Sequence, residues 1–118
     1  MSHGYLASAL LGSAKMIAGD NISSIVSICL EEGDNLQDFK DEIKKVLSSL
    51  PKNRLVLIDL FGGTPCNSFL ASLKDEEDKK AAVSGMNLPM LLELLGSRRG
   101  KDHAQLRDLA LSYDDNGF

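Results

Sequence analysis

The sequence predicts an α/β fold: a doubly wound, mainly parallel sheet with helices on both faces and its first strand missing or truncated. Three observations carry this. Apolar runs rich in β-branched residues alternate with segments whose apolar residues recur at helical spacing. The run RLVLIDL, residues 54–60, is continuous rather than alternating, as suits a strand covered on both faces. The third is the connectivity, since strands that alternate with helices imply right-handed crossovers between parallel neighbours.

The elements follow in order. Leu6, Leu10, Ser13, Ala14 and Ile17 share one face of a helix over residues 5–18, and Gly19-Asp20-Asn21 stops it. ISSIVSICL, residues 22–30, reads as a strand closed by Glu31-Glu32-Gly33. Asp34 and Gln37 have capping-box spacing. Leu36, Phe39, Ile43, Val46, Leu47 and Leu50 then repeat along a second helix, 36–49, which Pro51 ends. The strand at 54–60 runs into a tight FGGTP loop and a helix over 65–73, with Phe69, Leu70 and Leu73 inward. A weaker strand, 80–84, leads to a Gly85-Met86-Asn87 loop. Asn87 is a good cap for a leucine-rich helix, 88–95, ended by Gly96. After a basic loop, 98–101, Asp102 caps a last helix with Leu106, Leu109, Ala110 and Tyr113 on one face, and the DDNGF tail frays. One element is wanting. A chain of this order should begin with a strand, and Met1-Ser2 is too short to be it.

Length and composition bound the rest. The 118 residues make one domain, 1–118, and 43% hydrophobic with 25% charged residues is ordinary for a globular chain. A net charge of -4, with no basic block beyond Arg98, Arg99 and Lys101, excludes a nucleic-acid footprint and disfavours anionic membranes. No segment approaches the roughly 18 apolar residues that span a bilayer, and residues 5–18 lack the basic head of a signal peptide. Cys29, in an apolar run, reads as a small buried hydrophobe, and Cys66 as structural. Their spacing is no metal pattern, and a reduced, cytoplasmic setting is the default.

In open parallel sheets, sites form beyond the carboxyl ends of the strands. Three segments converge there: Ser2-His3-Gly4, Asp59 through Pro65, and Gly85 through Pro89. His3 is the nucleophile of note at that edge, because imidazole can take a phosphoryl group and pass it on. Asp59 can accept a hydrogen bond from one ring nitrogen and so leave the other to attack. Gly62, Gly63 and Thr64 offer unpaired backbone N–H groups at a helix start, a natural anion site. Phosphoryl transfer needs mainly positioning and charge stabilisation, so this set suffices without metal.

Each signal has a plainer explanation. A histidine near a chain end is commonly a solvated group, a strand-end aspartate a turn residue, and a GGTP loop only a turn. His103 reads as merely exposed, and the basic loop as a solvated face. It is the meeting of several signals at one sheet edge that points to a site.

The residues also resemble a known family. The run from Ser2 to Gly19, with its SHG, SA and MI elements, is similar to the start of the enzyme IIA domain of mannose-type sugar phosphotransferase systems. LVLIDLFGGTPCN, residues 55–67, resembles that family's second signature, and VSGMNLPMLLELL, 83–95, its third. The likeness covers nearly the whole chain, with the three motifs in the expected order. It implies that His3 is transiently phosphorylated by the histidine-containing phosphocarrier protein and passes the group to the IIB component of a sugar transporter. It further implies that Asp59 supports His3, that Thr64 is the active-site hydroxyl residue, that no cofactor is bound, and that the protein is a homodimer. The family has an apolar strand ahead of its Ser-His-Gly motif, and this sequence has none. A regulatory phosphorylation-sensing module of the same fold, and a subunit for phosphotransferase-dependent dihydroxyacetone phosphorylation, are the alternatives. Flavin or nucleotide binding finds no glycine fingerprint at the first turn.

Overall fold

The computed structural model describes residues 1–112. Strand β1, Ser2–His3, leads into helix α1, Leu6–Ala18, and strand β2, Cys29–Leu30. Helix α2, Leu36–Ser49, precedes strand β3, Val56–Ile58, and helix α3, Thr64–Ser72. A 3₁₀ turn, Glu76–Ala81, feeds strand β4, Ala82–Ser84, and helices α4, Leu88–Ser97, and α5, His103–Ser112, complete the described chain.

Met1 holds the sheet together. β1 pairs in parallel with β2, and β3 in parallel with β4. Between these ladders the Met1 amino group donates to the Leu57 carbonyl at 2.7 Å, and the Asp59 N–H donates to the Met1 carbonyl at 3.2 Å. The spatial order is therefore β2-β1-β3-β4. The chain winds outward in both directions from a switch point between β1 and β3, which is the doubly wound arrangement. The first strand is short rather than missing. Met1–His3 occupies its central place, because the backbone on either side bonds it.

The other strands are also shorter than their apolar runs. Of residues 22–30 only Cys29–Leu30 is ladder, and residues 21–24 are turn. Of residues 54–60 only Val56–Ile58 is strand, and of the covering expected on both faces Ile58 alone is complete, while Leu55, Val56 and Leu57 stay half-buried.

The helices lie on both faces: α1 packs on α4 on one side, and α2 on α3 on the other. The first helix buries only part of the expected stripe, Ala14 fully and Leu10 by half. Ala7 and Ala14 are buried, whereas Leu6, Ser13 and Ile17 are exposed, because close packing on α4 selects small side chains. In α3, Phe69 is buried and Leu73 half-buried, but Leu70 faces outward. Asn35 rather than Asp34 caps α2, accepting from Asp38 N–H at 3.0 Å, while Asp34 accepts from Glu31 N–H. Asn87 caps α4 and Asp102 caps α5. α4 continues through Gly96 to Ser97. Tyr113 and the DDNGF tail lie outside the described residues.

Two cores result, one on each face of the sheet. Ile28, Ile58, Phe39, Ile43, Cys66 and Phe69 fill the α2–α3 side together with Met1. Val83, Met90, Leu94 and Ala110 fill the α4–α5 side. Cys66 is thus structural, as expected, whereas Cys29 is only half-buried. Among the described residues no helix is long and apolar enough to cross a membrane.

Candidate functional site

The site forms at the switch point, where β1 and β3 end side by side. Gly4, at φ +53°, turns the chain from β1 into α1, a conformation that favours glycine. The Ser2 hydroxyl, fully buried, accepts from Ala7 N–H at 2.8 Å and so ties the turn to the first helical residues. His3 is held between these anchors with about half of its side chain exposed, 48%.

The ladder between β1 and β3 ends in a side chain. The His3 backbone N–H donates to Asp59 Oδ2 at 2.9 Å, and the His3 ring Nδ1 lies 2.7 Å from the same oxygen. The other oxygen, Oδ1, accepts from Leu60 N–H at 2.9 Å. The carboxyl is well shielded, at 9% exposure. An ionised carboxylate only accepts, so Nδ1 must carry the proton, and in the neutral ring the lone pair then lies on Nε2. Burial acts to raise the Asp59 pKa. The His3 N–H, the His3 ring and the Leu60 N–H outweigh it and hold the group below the ordinary carboxylate value.

That depression carries a pH signature. The unfolded chain takes up the Asp59 proton before the folded chain does, so stability rises with pH between the two values. The contribution is complete above the unfolded value near 3.8 and is lost as pH falls through the folded one. In thermal unfolding across the acid range, Asp59→Asn should show a shallower loss of Tm below about pH 4 than the parent chain.

The loop after β3 supplies the third wall. Gly62, at φ +80°, makes a turn that other residues enter only with strain. Asn67 straps this loop: its side-chain amide donates to the Gly62 carbonyl at 3.0 Å, and its backbone N–H donates to the Gly63 carbonyl at 2.9 Å. Gly63 serves a different purpose. A Cβ built there would sit 2.6 Å from His3 Cε1 and 3.3 Å from Nε2, so the imidazole edge lies directly over it.

The three expected N–H donors are not equivalent. The Gly63 N–H is directed at the Leu60 carbonyl, at 3.4 Å. Among the described residues, the Gly62 and Thr64 N–H groups have no backbone acceptor. Thr64 is exposed at the first turn of α3, and Pro65 follows where a missing N–H costs nothing. The third expected segment contributes less. Met86 N–H donates to the Ile58 carbonyl, one residue before Asp59, but the Asn87 side chain is spent on its cap. His103 stands apart and half-buried, its N–H donating to Asn53 Oδ1 at 2.7 Å. Arg98 is also half-buried, donating to the Asn21 carbonyl rather than lying free on a solvated face. Sequence reasoning missed the anchoring parts of Ser2 and Asn67. A serine ahead of a helix start was the available signal for Ser2, and for Asn67 there was none.

Four similarities bear on this geometry. The family model described as "PTS system fructose IIA component" matches residues 1–111. The chain is 34% identical over 109 residues to the fructose-specific EIIA component of the phosphotransferase system of Bacillus subtilis, covering 91% of this chain and 71% of that protein. It is 31% identical over 99 residues to the mannose-specific EIIAB component of Escherichia coli K12, covering 82% of this chain but only 30% of that protein. The crystal structure of phosphotransferase system component EIIA from Streptococcus agalactiae superposes with a TM-score of 0.82 at 33% identity, over 94% of this chain and 85% of that one.

Proposed function

Since the chain belongs to the EIIA-man family of phosphotransferase-system IIA components, we propose that His3 accepts a phosphoryl group from the histidine-containing phosphocarrier protein and passes it to the IIB component of a sugar transporter. The observation that carries this reading is the pairing of His3 Nδ1 with Asp59, which leaves Nε2 free on an exposed edge.

The step balances with the protein's own groups. The Nε2 lone pair forms a bond to phosphorus as the donor imidazole leaves with the electrons of its own N–P bond. The His3 ring gains positive charge, and Asp59 stabilises it through the Nδ1 proton. The Gly62 and Thr64 N–H groups, with the positive end of the α3 dipole, take the equatorial oxygens. Transfer to IIB is the reverse, with His3 as the leaving group.

The surroundings favour a protein donor over a small molecule. The side chains of Tyr5, Leu60 and Phe61 are exposed by 69%, 59% and 79%, and border the histidine on an open edge. On the β2 side they are flanked by Glu31, Glu32 and Asp34. The Glu31 carboxylate leads the causes that raise the Tyr5 phenol pKa, so acid and apolar patch adjoin. An apolar centre with an acidic rim suits a partner of opposite pattern, and charge complementarity would speed the encounter.

The test is phosphate uptake from labelled phosphoenolpyruvate in the presence of the general phosphotransferase enzyme and the phosphocarrier protein. One acid-labile, base-stable phosphate per chain is expected, and none in His3→Ala. Label retained by His3→Ala would overturn the assignment.

A further inference from the structure

We propose that Asn67 is a positioning residue for phosphoryl transfer: acting through Gly62 and Gly63, it fixes the ledge against which the His3 ring rests. The inference rests on the reading of His3 as the phosphoryl acceptor. Among the described residues Asn67 makes no hydrogen bond to His3 or Asp59, so its effect passes through the loop.

The loop backbone singles this residue out. In a trans peptide the C=O points opposite to the N–H that shares its plane. The Asn67 side-chain amide donates to the Gly62 carbonyl at 3.0 Å, and the Gly63 N–H of that same plane is directed at the Leu60 carbonyl at 3.4 Å. The Gly62–Gly63 peptide is thus held at both ends. The Asn67 backbone N–H donates to the Gly63 carbonyl at 2.9 Å, which fixes the next plane and aims the Thr64 N–H out of the helix start. One residue therefore sets both peptides that flank the Gly63 Cα. That Cα underlies the imidazole, since a Cβ on it would stand 2.6 Å from His3 Cε1. Asp59 pins the ring at Nδ1, and Gly63 bounds its Cε1–Nε2 edge.

The chemistry of an amide suits the task. A carbonyl only accepts, so the group that faces Gly62 is the NH₂, and an aspartate in its place would set acceptor against acceptor. The strap takes up a carbonyl and none of the N–H donors that an anion needs. Helix starts commonly carry a serine, threonine, aspartate or asparagine whose oxygen occupies N–H groups of the first turn. α3 starts instead at Gly63 with no side-chain cap, and its order comes from inside the helix. Asn67 is exposed in the first turns of α3, where a side chain leans back toward the helix start. Asparagine is a poorer helix former than alanine, so helix propensity does not account for it there.

Asn67→Ala tests this with the helix intact, because alanine favours the helix at an exposed position. In single-turnover transfer from the phosphorylated phosphocarrier protein at saturating concentration, the rate should fall about tenfold, the equivalent of one hydrogen bond. Gly63→Ala alone should cost about a hundredfold. In the double variant the two losses should not multiply. Freed of the strap, the loop can withdraw from the ring, so the rate should be no lower than with Gly63→Ala alone. A second readout needs no transfer: in the unphosphorylated chain the nuclear Overhauser effect between His3 Hε1 and the Gly63 α-protons should weaken in Asn67→Ala, with Nδ1 still protonated. An unchanged rate, an unchanged Overhauser effect, or losses that multiply to about a thousandfold would each overturn the proposal. A parent chain that takes up no label would overturn the acceptor reading and this role with it, and it is told apart because it fails without any substitution.

Discussion

Gly63→Ala should slow phosphoryl uptake by His3 about a hundredfold while leaving the fold intact. The backbone at Gly63, with φ -75° and ψ 172°, is one that alanine adopts freely, so no conformational strain enters. The added Cβ would instead stand 2.6 Å from His3 Cε1, far inside contact distance. The ring must tilt, and it can do so only by stretching its 2.7 Å contact with Asp59 or by carrying Nε2 away from the anion donors. Gly62→Ala makes the contrast, because nothing lies near a Cβ there and its cost is the φ of +80°. That substitution should lower Tm and spare the rate of the folded fraction, whereas Gly63→Ala should spare Tm and lower the rate. Single-turnover transfer measured beside thermal unfolding separates them, and an undiminished rate in Gly63→Ala would show that the ring does not rest on residue 63.

Asp59→Asn should cost more, about 10³–10⁴-fold in transfer rate. The asparagine oxygen can still accept from the His3 backbone N–H, which now donates to Oδ2 at 2.9 Å, so the loop need not come apart. The ring is affected differently. If instead the amide NH₂ takes the place of Oδ2, the bond from the His3 backbone N–H is lost, the NH₂ donates to Nδ1, the imidazole proton moves to Nε2, and the attacking lone pair is lost. If the oxygen faces Nδ1, the tautomer survives, but the charge that stabilises the imidazolium does not. A structural role alone would lower Tm without moving the tautomer, so ¹⁵N spectra of the His3 ring in Asp59→Asn distinguish the two. Normal transfer with an unchanged tautomer would remove Asp59 from the mechanism.

Much of this was readable in the residues because it rests on local rules. A continuous apolar run ending in Asp59 placed a carboxylate at the sheet edge, and the glycine pair ahead of Pro65 marked the helix start beside it. Asn87 and Asp102 had cap chemistry and cap in the structure. What stayed hidden depends on partners distant in sequence. Ile25 and Val26 have strand propensity, yet a strand needs a paired neighbour, and the β1–β2 ladder holds only Cys29 and Leu30 on this side. Helical spacing puts Leu6, Leu10, Ser13, Ala14 and Ile17 on one face of α1, but against α4 the buried residues are Ala14 and its neighbour Ala7, while Leu6, Ser13 and Ile17 are exposed. Asp34 and Asn35 are equally good caps in sequence, and the bond that Asp34 makes to Glu31 N–H decides between them. On length alone Met1-Ser2 is too short for a strand, whereas hydrogen bonds on both sides of Met1 and Ser2 hold it in the sheet. Sequence points to Gly63 only as an anion donor, and its contact with His3, sixty residues away in the chain, adds a steric reason for glycine there.

The central claim is that one imidazole, pinned through Nδ1 by a strand-end carboxylate, offers Nε2 to a phosphoryl donor. Long-range ¹H–¹⁵N correlation spectra of the phosphorylated, ¹⁵N-histidine-labelled chain test it most directly. Phosphorus bonded to Nε2 of His3, with Nδ1 still protonated, is the predicted result. Phosphorus on Nδ1 of His3, or on His103, would contradict it.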